Sequence, residues 1–196
     1  MATAALLAVS GCGGSNTSSP PTGASSVPST SPTTSTTDTS GIDPLEGAAT
    51  TPVEAAATGS DTALLERIAV GRHEGYDRVV FQFQNGLPGY KVEYVQPPLK
   101  EDGSGKPVSV KGTAIVSVRM EPASGFDLNT GEGVLVYKGP KQIDGSSAGT
   151  SVVQQLVRTG DFEAVLTWAI GLSDKVDFRV TTATSPDRLI VDFRNH

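Results

Sequence analysis

The chain of 196 residues has one cysteine, Cys12, two histidines, His73 and His196, one tryptophan, Trp168, and no Lys or Arg before Arg67. These scarcities exclude whole classes of chemistry. A single thiol and two histidines far apart leave no soft ligand set for a zinc hydrolase. No apolar run approaches the ~20 residues that a membrane-spanning helix needs. The five acidic residues Asp38, Asp43, Glu46, Glu54 and Asp61 precede residue 62 without any cation, so the rest of the chain holds all 15 basic residues and 16 of the 21 acidic ones. That near balance supplies no basic face for nucleic acid.

What is present begins at the N-terminus. The run Leu6-Leu7-Ala8-Val9-Ser10-Gly11-Cys12 puts a short apolar stretch and two small residues before the cysteine. This is the pattern a signal peptidase needs before a thiol that receives diacylglycerol. Residues 1–11 are therefore expected to be a lipoprotein signal peptide and Cys12 the lipidated residue, with two or three acyl chains giving a firm anchor. An ordinary secretory signal with an incidental cysteine is the alternative on the same residues. No Lys or Arg precedes Leu6, which places the expected true start upstream.

Residues 12–61 are rich in Ser, Thr, Pro and Gly, with too few large apolar side chains to offset the entropy of ordering the chain. They are expected to form a disordered, acidic tether, about 45 flexible residues with a root-mean-square span of about 35 to 40 Å. Ser29 to Thr39 also has the composition of an O-glycosylated stalk.

Residues 62–196 suffice for one core. Alternation with period two dominates: Val79, Phe81 and Phe83 face one way while Arg78, Val80 and Gln82 face the other. Tyr90-Val92-Tyr94, Ala114-Val116-Val118, Leu166-Trp168-Ile170, Phe178-Val180 and Leu189-Val191-Phe193 repeat it, separated by turn signals such as Asn85-Gly86, Asp102-Gly103 and Ser185-Pro186-Asp187. The fold class is all-β, a β-sandwich of two small antiparallel sheets. Asp61 to Ile68 and Ser151 to Val157 read as helix or strand. Asp77-Arg78-Val79-Val80-Phe81-Gln82-Phe83 and Asp187-Arg188-Leu189-Ile190-Val191-Asp192-Phe193 share a pattern. A true internal repeat would set them at equivalent places in two sheets; the other reading is convergent strand patterning.

The segments Gly71-Arg72-His73-Glu74-Gly75-Tyr76-Asp77-Arg78-Val79-Val80-Phe81, Leu87-Pro88-Gly89-Tyr90, Val157-Arg158-Thr159-Gly160-Asp161-Phe162-Glu163, Leu166-Thr167-Trp168 and Arg188 to Phe193 together resemble the AMIN-like domain of actinobacterial lipoproteins, from about Leu64 to Phe193. The resemblance implies a β-sandwich related to AMIN domains of cell-wall amidases, which bind peptidoglycan and localise their hosts in the envelope. It implies no catalytic residue and no cofactor.

Tested residue by residue, enzyme motifs fail on context. Gly145-Ser146-Ser147-Ala148-Gly149 has the letters of a nucleophile elbow but lies in a small-residue loop. Gly103-Ser104-Gly105-Lys106-Pro107 lacks the spacing of a phosphate loop. Asp127 to Lys138 alternates oxygen ligands but ends in Lys where calcium needs a bidentate Glu. His73 with Asp77 could serve a Ser-His-Asp set, or His73 and Tyr76 could hydrogen-bond locally and shape a loop. Trp168 has the parity of a core residue.

The expected ligand-binding residues are Arg72, His73, Tyr76, Asp77, Arg78, Arg158 and Asp161, whose guanidinium and polar groups suit the stem-peptide carboxylates and hydroxyls of peptidoglycan; Arg78 and Arg188 read equally as cross-strand ion pairs. The function expected is non-catalytic binding of peptidoglycan or another cell-wall glycan by a lipid-anchored envelope module. The alternative is an assembly module with an envelope protein as partner.

Overall fold

The computed structural model describes residues 43–129 and 132–195. Among them run strands β1 (Val53–Ala55), β2 (Ala63–His73), β3 (Tyr76–Gln84), β4 (Gly89–Val95), β5 (Leu99–Lys100), β6 (Pro107–Val108), β7 (Ala114–Glu121) and β8 (Ala123–Ser124). They continue as β9 (Phe126–Asp127), β10 (Val134–Leu135), β11 (Gln142–Asp144), β12 (Val153–Phe162), β13 (Val165–Leu172), β14 (Phe178–Ala183) and β15 (Asp187–Arg194). One sheet has the order β1-β4-β7-β13-β12-β11 and the other β14-β15-β3-β2-β8. Every pairing is antiparallel except β2 with β8.

The expected sandwich is there, and period-two patterning builds it. Val79, Phe81, Leu189, Val191 and Phe193 from the five-stranded sheet meet Val92, Val118, Met120, Leu166, Trp168 and Ile170 from the six-stranded one, all fully buried. Trp168 lies in the core as its parity requires, edge-on to Tyr137 at 5.7 Å. Both ambiguous segments resolve as strand, in β2 from Ala63 and in β12 from Val153.

The suspected repeat resolves differently. β3 and β15 are neighbours in one sheet, with Asp77 opposite Phe193 and Arg78 opposite Asp192. They are alike because both are central strands of that sheet with one face in the core.

The tether expectation fails for its last part. From Asp43 the chain is engaged: Leu45 is 0 % exposed, Ala49 exchanges two backbone hydrogen bonds of 3.0 Å with Phe178, and β1 pairs with β4. Asp43 also makes a two-pronged ion pair with Arg194. One buried leucine and a row of backbone donors and acceptors suffice, because strand pairing asks little of side chains. The folded unit therefore reaches back past residue 62. Cys12 and the expected signal and tether up to residue 42 lie outside the described residues.

The segment 96–113, carrying the β5–β6 ribbon, crosses the outer face of the six-stranded sheet. At its tip Asp102 N–H donates to Thr159 O at 2.8 Å, and near its end Lys111 N–H donates to Gln155 Oε1 at 3.0 Å. Gly160 and Gly171 make the close approach possible, since a Cβ on either would run into Asp102 or the Lys111 carbonyl. Ala169 and Val157, on the outward side of β13 and β12, are buried beneath this arm. The uncovered part of that face carries Lys91 with Glu93 and Arg119 with Glu121, paired within the sheet.

Candidate functional site

The opposite outer face, on the five-stranded sheet, has no such cover among the described residues. Register orders its side chains in rows. The first row is His73 and Tyr76, directly opposite each other across the β2–β3 turn, with Arg194 beyond. Gly75, at φ +83°, closes that turn, a backbone region glycine enters without Cβ strain, and a Cβ there would strike Pro44. The His73 and Tyr76 rings stack with centroids 4.9 Å apart and planes 13° from parallel.

The second row is Gly71, Arg78, Asp192 and Arg179. Arg78 donates to both oxygens of Asp192 at 2.6 and 2.9 Å, and Arg179 Nη2 donates at 3.1 Å. The Asp192 side chain is 0 % exposed although it points outward, because the two guanidinium groups roof it. Two cations share this one anion, and Asp43, paired with Arg194, also acts on Arg179. The bond to Asp192 raises the Arg78 pKa above its already high ordinary value. The Arg78 guanidinium also sits 5.0 Å from the Tyr76 ring centroid, a cation–π distance.

Below lies a small apolar row, Ala69, Val80 and Ile190, and then Arg67, Gln82 and Arg188. The face thus combines stacked rings, an arginine pair, a low apolar strip and two more arginines. Open cups flank the β2–β3 turn, one of about 530 Å³ lined by Arg72, His73, Glu74, Gly75 and Asn195.

The residues expected to bind ligand separate into three groups. His73, Tyr76 and Arg78 converge at one end of this outer face, while Arg72, opposite Asp77 in the register, stands at the same end of β2 with its side chain on the other side of the strand. Asp77 does not join them. It faces inward, fully buried, and its Oδ2 accepts the Val152 and Val153 N–H groups at 2.6 and 3.0 Å while Oδ1 accepts Asn195 Nδ2 at 2.9 Å. Arg158 and Asp161 pair with each other at 3.3 Å, largely buried, and Asp161 also accepts Ser124 Oγ. Ser124 pairs with the start of β2 and His73 is at its end, about 30 Å apart at the rise of a strand. Arg158 and Asp161 therefore anchor the far end of the domain and are no part of this surface.

The same geometry dissolves the proposed dyad, since His73 and Asp77 belong to opposite faces of the sheet. His73 and Tyr76 stack as strand residues and are not loop residues bonding to local backbone. Ser146 donates to Asp144 in a short 3-10 turn, with no histidine beside it. The cross-strand ion-pair reading holds for Arg78; Arg188 instead donates to Pro186 O. Among the described residues no group of three His, Cys, Asp or Glu is placed to hold a metal, and no helix is long and apolar enough to cross a membrane.

Arg67, Arg179 and Asp192 were missed by sequence reasoning. One signal was available: pairing the two similar strands antiparallel brings Arg78 opposite Asp192.

A family model described as AMIN-like domain matches residues 63–195. No curated protein and no solved structure matches the chain.

Proposed function

The chain belongs to the AMIN-like domain family, and from that premise we propose that it is a cell-envelope binding module holding peptidoglycan on the outer face of its five-stranded sheet. AMIN-like domains are cell-wall-related binding modules and not known catalysts. The observation that carries the choice of face is the contrast between the two sheets. One is roofed by the 96–113 arm and carries Lys91–Glu93 and Arg119–Glu121 pairs, whereas the other presents an Arg78–Asp192–Arg179 cluster beside stacked rings, with Arg67 and Arg188 in a further row.

In this reading Arg67, Arg78, Arg179 and Arg188 meet stem-peptide carboxylates, and guanidinium groups grip carboxylates with parallel hydrogen bonds. The exposed His73 ring, backed by Tyr76, offers an apolar plane to the C–H side of a sugar. The polymer is extended and so is the face. The module sits at the membrane through a lipid on Cys12, facing the wall, with catalysis assigned to no residue.

Sedimentation with purified sacculi tests this. The chain is expected to pellet, and Arg67→Gln with Arg188→Gln and His73→Ala to shift it toward the supernatant, while Lys91→Gln with Arg119→Gln on the other sheet leaves it pelleted. A wild-type chain that stays wholly in the supernatant refutes the proposal. A second reading, docking of an envelope protein, is favoured by the β9–β10 ribbon, where Phe126, Leu128, Val134 and Leu135 are 37 to 72 % exposed. Contiguous exposed apolar surface marks interaction sites. In-cell crosslinking from that ribbon to a single protein would support it; recovery of glycan alone would remove it.

A further inference from the structure

A cavity of about 500 Å³ lies where the covering arm leaves β4 and returns to β7, away from the glycan-facing sheet and unused by the reading above. Its floor is apolar. Val95 and Ile115 stand opposite each other in the register of β4 and β7, on the outward side of the six-stranded sheet. Bare on a sheet surface, such a pair would waste apolar area on water; here the arm walls it in. The walls are Pro97 and Pro98 on the departing side and Pro107 and Val110 on the returning side. Prolyl nitrogens carry no hydrogen, so these walls donate little.

At the rim stands the one charged residue of the lining, Lys175. Its ammonium lies 5.1 Å from the Tyr94 ring centroid, and it makes no ion pair among the described residues. The carboxylates beside it in sequence are turned to other ends: Asp177 is 3.8 Å from Arg194, and Asp174 is exposed and outside the cavity lining. Tyr94 is itself fixed, its hydroxyl donating to Val176 O at 2.6 Å and accepting Val176 N–H at 3.0 Å. The ring therefore holds the cation at the mouth.

The volume is that of a small-ligand cleft, and such clefts combine a mainly apolar lining with a few placed polar groups. We propose that this cleft binds an anionic amphiphile, its acyl or similar apolar body lying on Val95 and Ile115 between the proline walls and its carboxylate or phosphate paired with Lys175. The apolar body gains by leaving water. The head group gains a charge-assisted hydrogen bond from an ammonium that has no ion-pair partner among the described residues. An anionic lipid and a free fatty acid share this chemistry.

Calorimetric titration of the full chain, below the micelle threshold, with dodecanoate, dodecyl phosphate, dodecanol and dodecyltrimethylammonium tests the assignment. One dodecanoate or dodecyl phosphate per chain is expected, the tighter of the two naming the head group. Dodecanol should bind about tenfold more weakly, the worth of one charged hydrogen bond, and the ammonium amphiphile not measurably. Lys175→Gln should cost the anions about tenfold and leave dodecanol unchanged. Ser109→Trp, at an exposed lining position that spares the core, should close the cleft to all of them, its fold checked by far-UV circular dichroism. Equal affinity for dodecanoate and dodecanol, an unaltered anion affinity in Lys175→Gln, or full binding by a folded Ser109→Trp chain would each overturn the proposal. Loss of sacculus pelleting would leave these titrations untouched, so the two readings fail separately.

Discussion

Replacing Asp77 by alanine should destabilise the domain far more than it weakens binding. The carboxylate is fully buried and accepts three hydrogen bonds, two of them from the Val152 and Val153 N–H groups that open β12. Alanine leaves both N–H groups buried without an acceptor, at about 1 to 3 kcal/mol each. It also removes a charge whose burial is unfavourable, which offsets part of the loss. The net expectation is about 3 kcal/mol, or roughly 10 °C in melting temperature for a domain of this size.

Asp77→Asn keeps an acceptor for the two backbone groups but turns its NH₂ toward Asn195 Nδ2, a donor that also serves His73 O. One hydrogen bond is lost, at about 1 kcal/mol. Urea unfolding followed by the fluorescence of the only tryptophan, buried Trp168, reads both variants, and sacculus pelleting of folded Asp77→Asn reads the binding. An alanine variant within 0.5 kcal/mol of wild type, the ordinary scatter of surface substitutions, would refute the anchoring role. An asparagine variant of wild-type stability that no longer pellets would return Asp77 to the binding surface.

Gly171→Ala should cost about 2 kcal/mol and expose residues 96–113 to limited proteolysis, because the new Cβ meets the Lys111 carbonyl, which is backbone; Gly160→Ala, facing the movable Asp102 side chain, should cost visibly less. Removing Arg78 and Arg179 together should destabilise more than Asp192→Asn, since the first leaves a buried carboxylate alone and the second leaves no buried charge; equal losses in urea would refute the roof over Asp192. The Arg194 hydrogen bonds, and then the Leu45 N–H, hold the Asp43 carboxyl below its ordinary value of 3.8. Its contribution is therefore present above that value and lost as pH falls through the lower folded one. The protection factor of the Ala49 amide, its exchange relative to the intrinsic rate at each pH, should fall below about pH 4, and Asp43→Asn should show that loss of protection already at pH 7.

The sandwich was legible because its strands are half-buried, so Val79-Phe81-Phe83 and Leu189-Val191-Phe193 advertise their parity one residue at a time. Trp168 was placed by the same rule. What escaped is what depends on distant partners. Nothing local in Ala49 or Val53 announces that Phe178 and β4 will receive them. Gly160 and Gly171 carry no local signal of their role, and only the arm passing over them explains their lack of a side chain. His73, Tyr76 and Arg78 were found as neighbours in sequence, but Arg179 and Asp192 complete the cluster from another part of the chain. Asp77, next to those residues in sequence, was misassigned because a single step along a strand reverses the face.

The position of β15 has a kinetic corollary. It follows the other described strands in sequence, yet it lies inside its sheet between β14 and β3, and the Arg78–Asp192 link closes across 114 residues. Until Asp187 to Arg194 arrive, β3 is paired on one edge only, by β2, and Leu189, Val191 and Phe193 are missing from the core. Contacts so far apart in sequence form slowly. The five-stranded sheet is therefore completed by a segment that joins from more than a hundred residues away, and its closure couples the two halves of the fold.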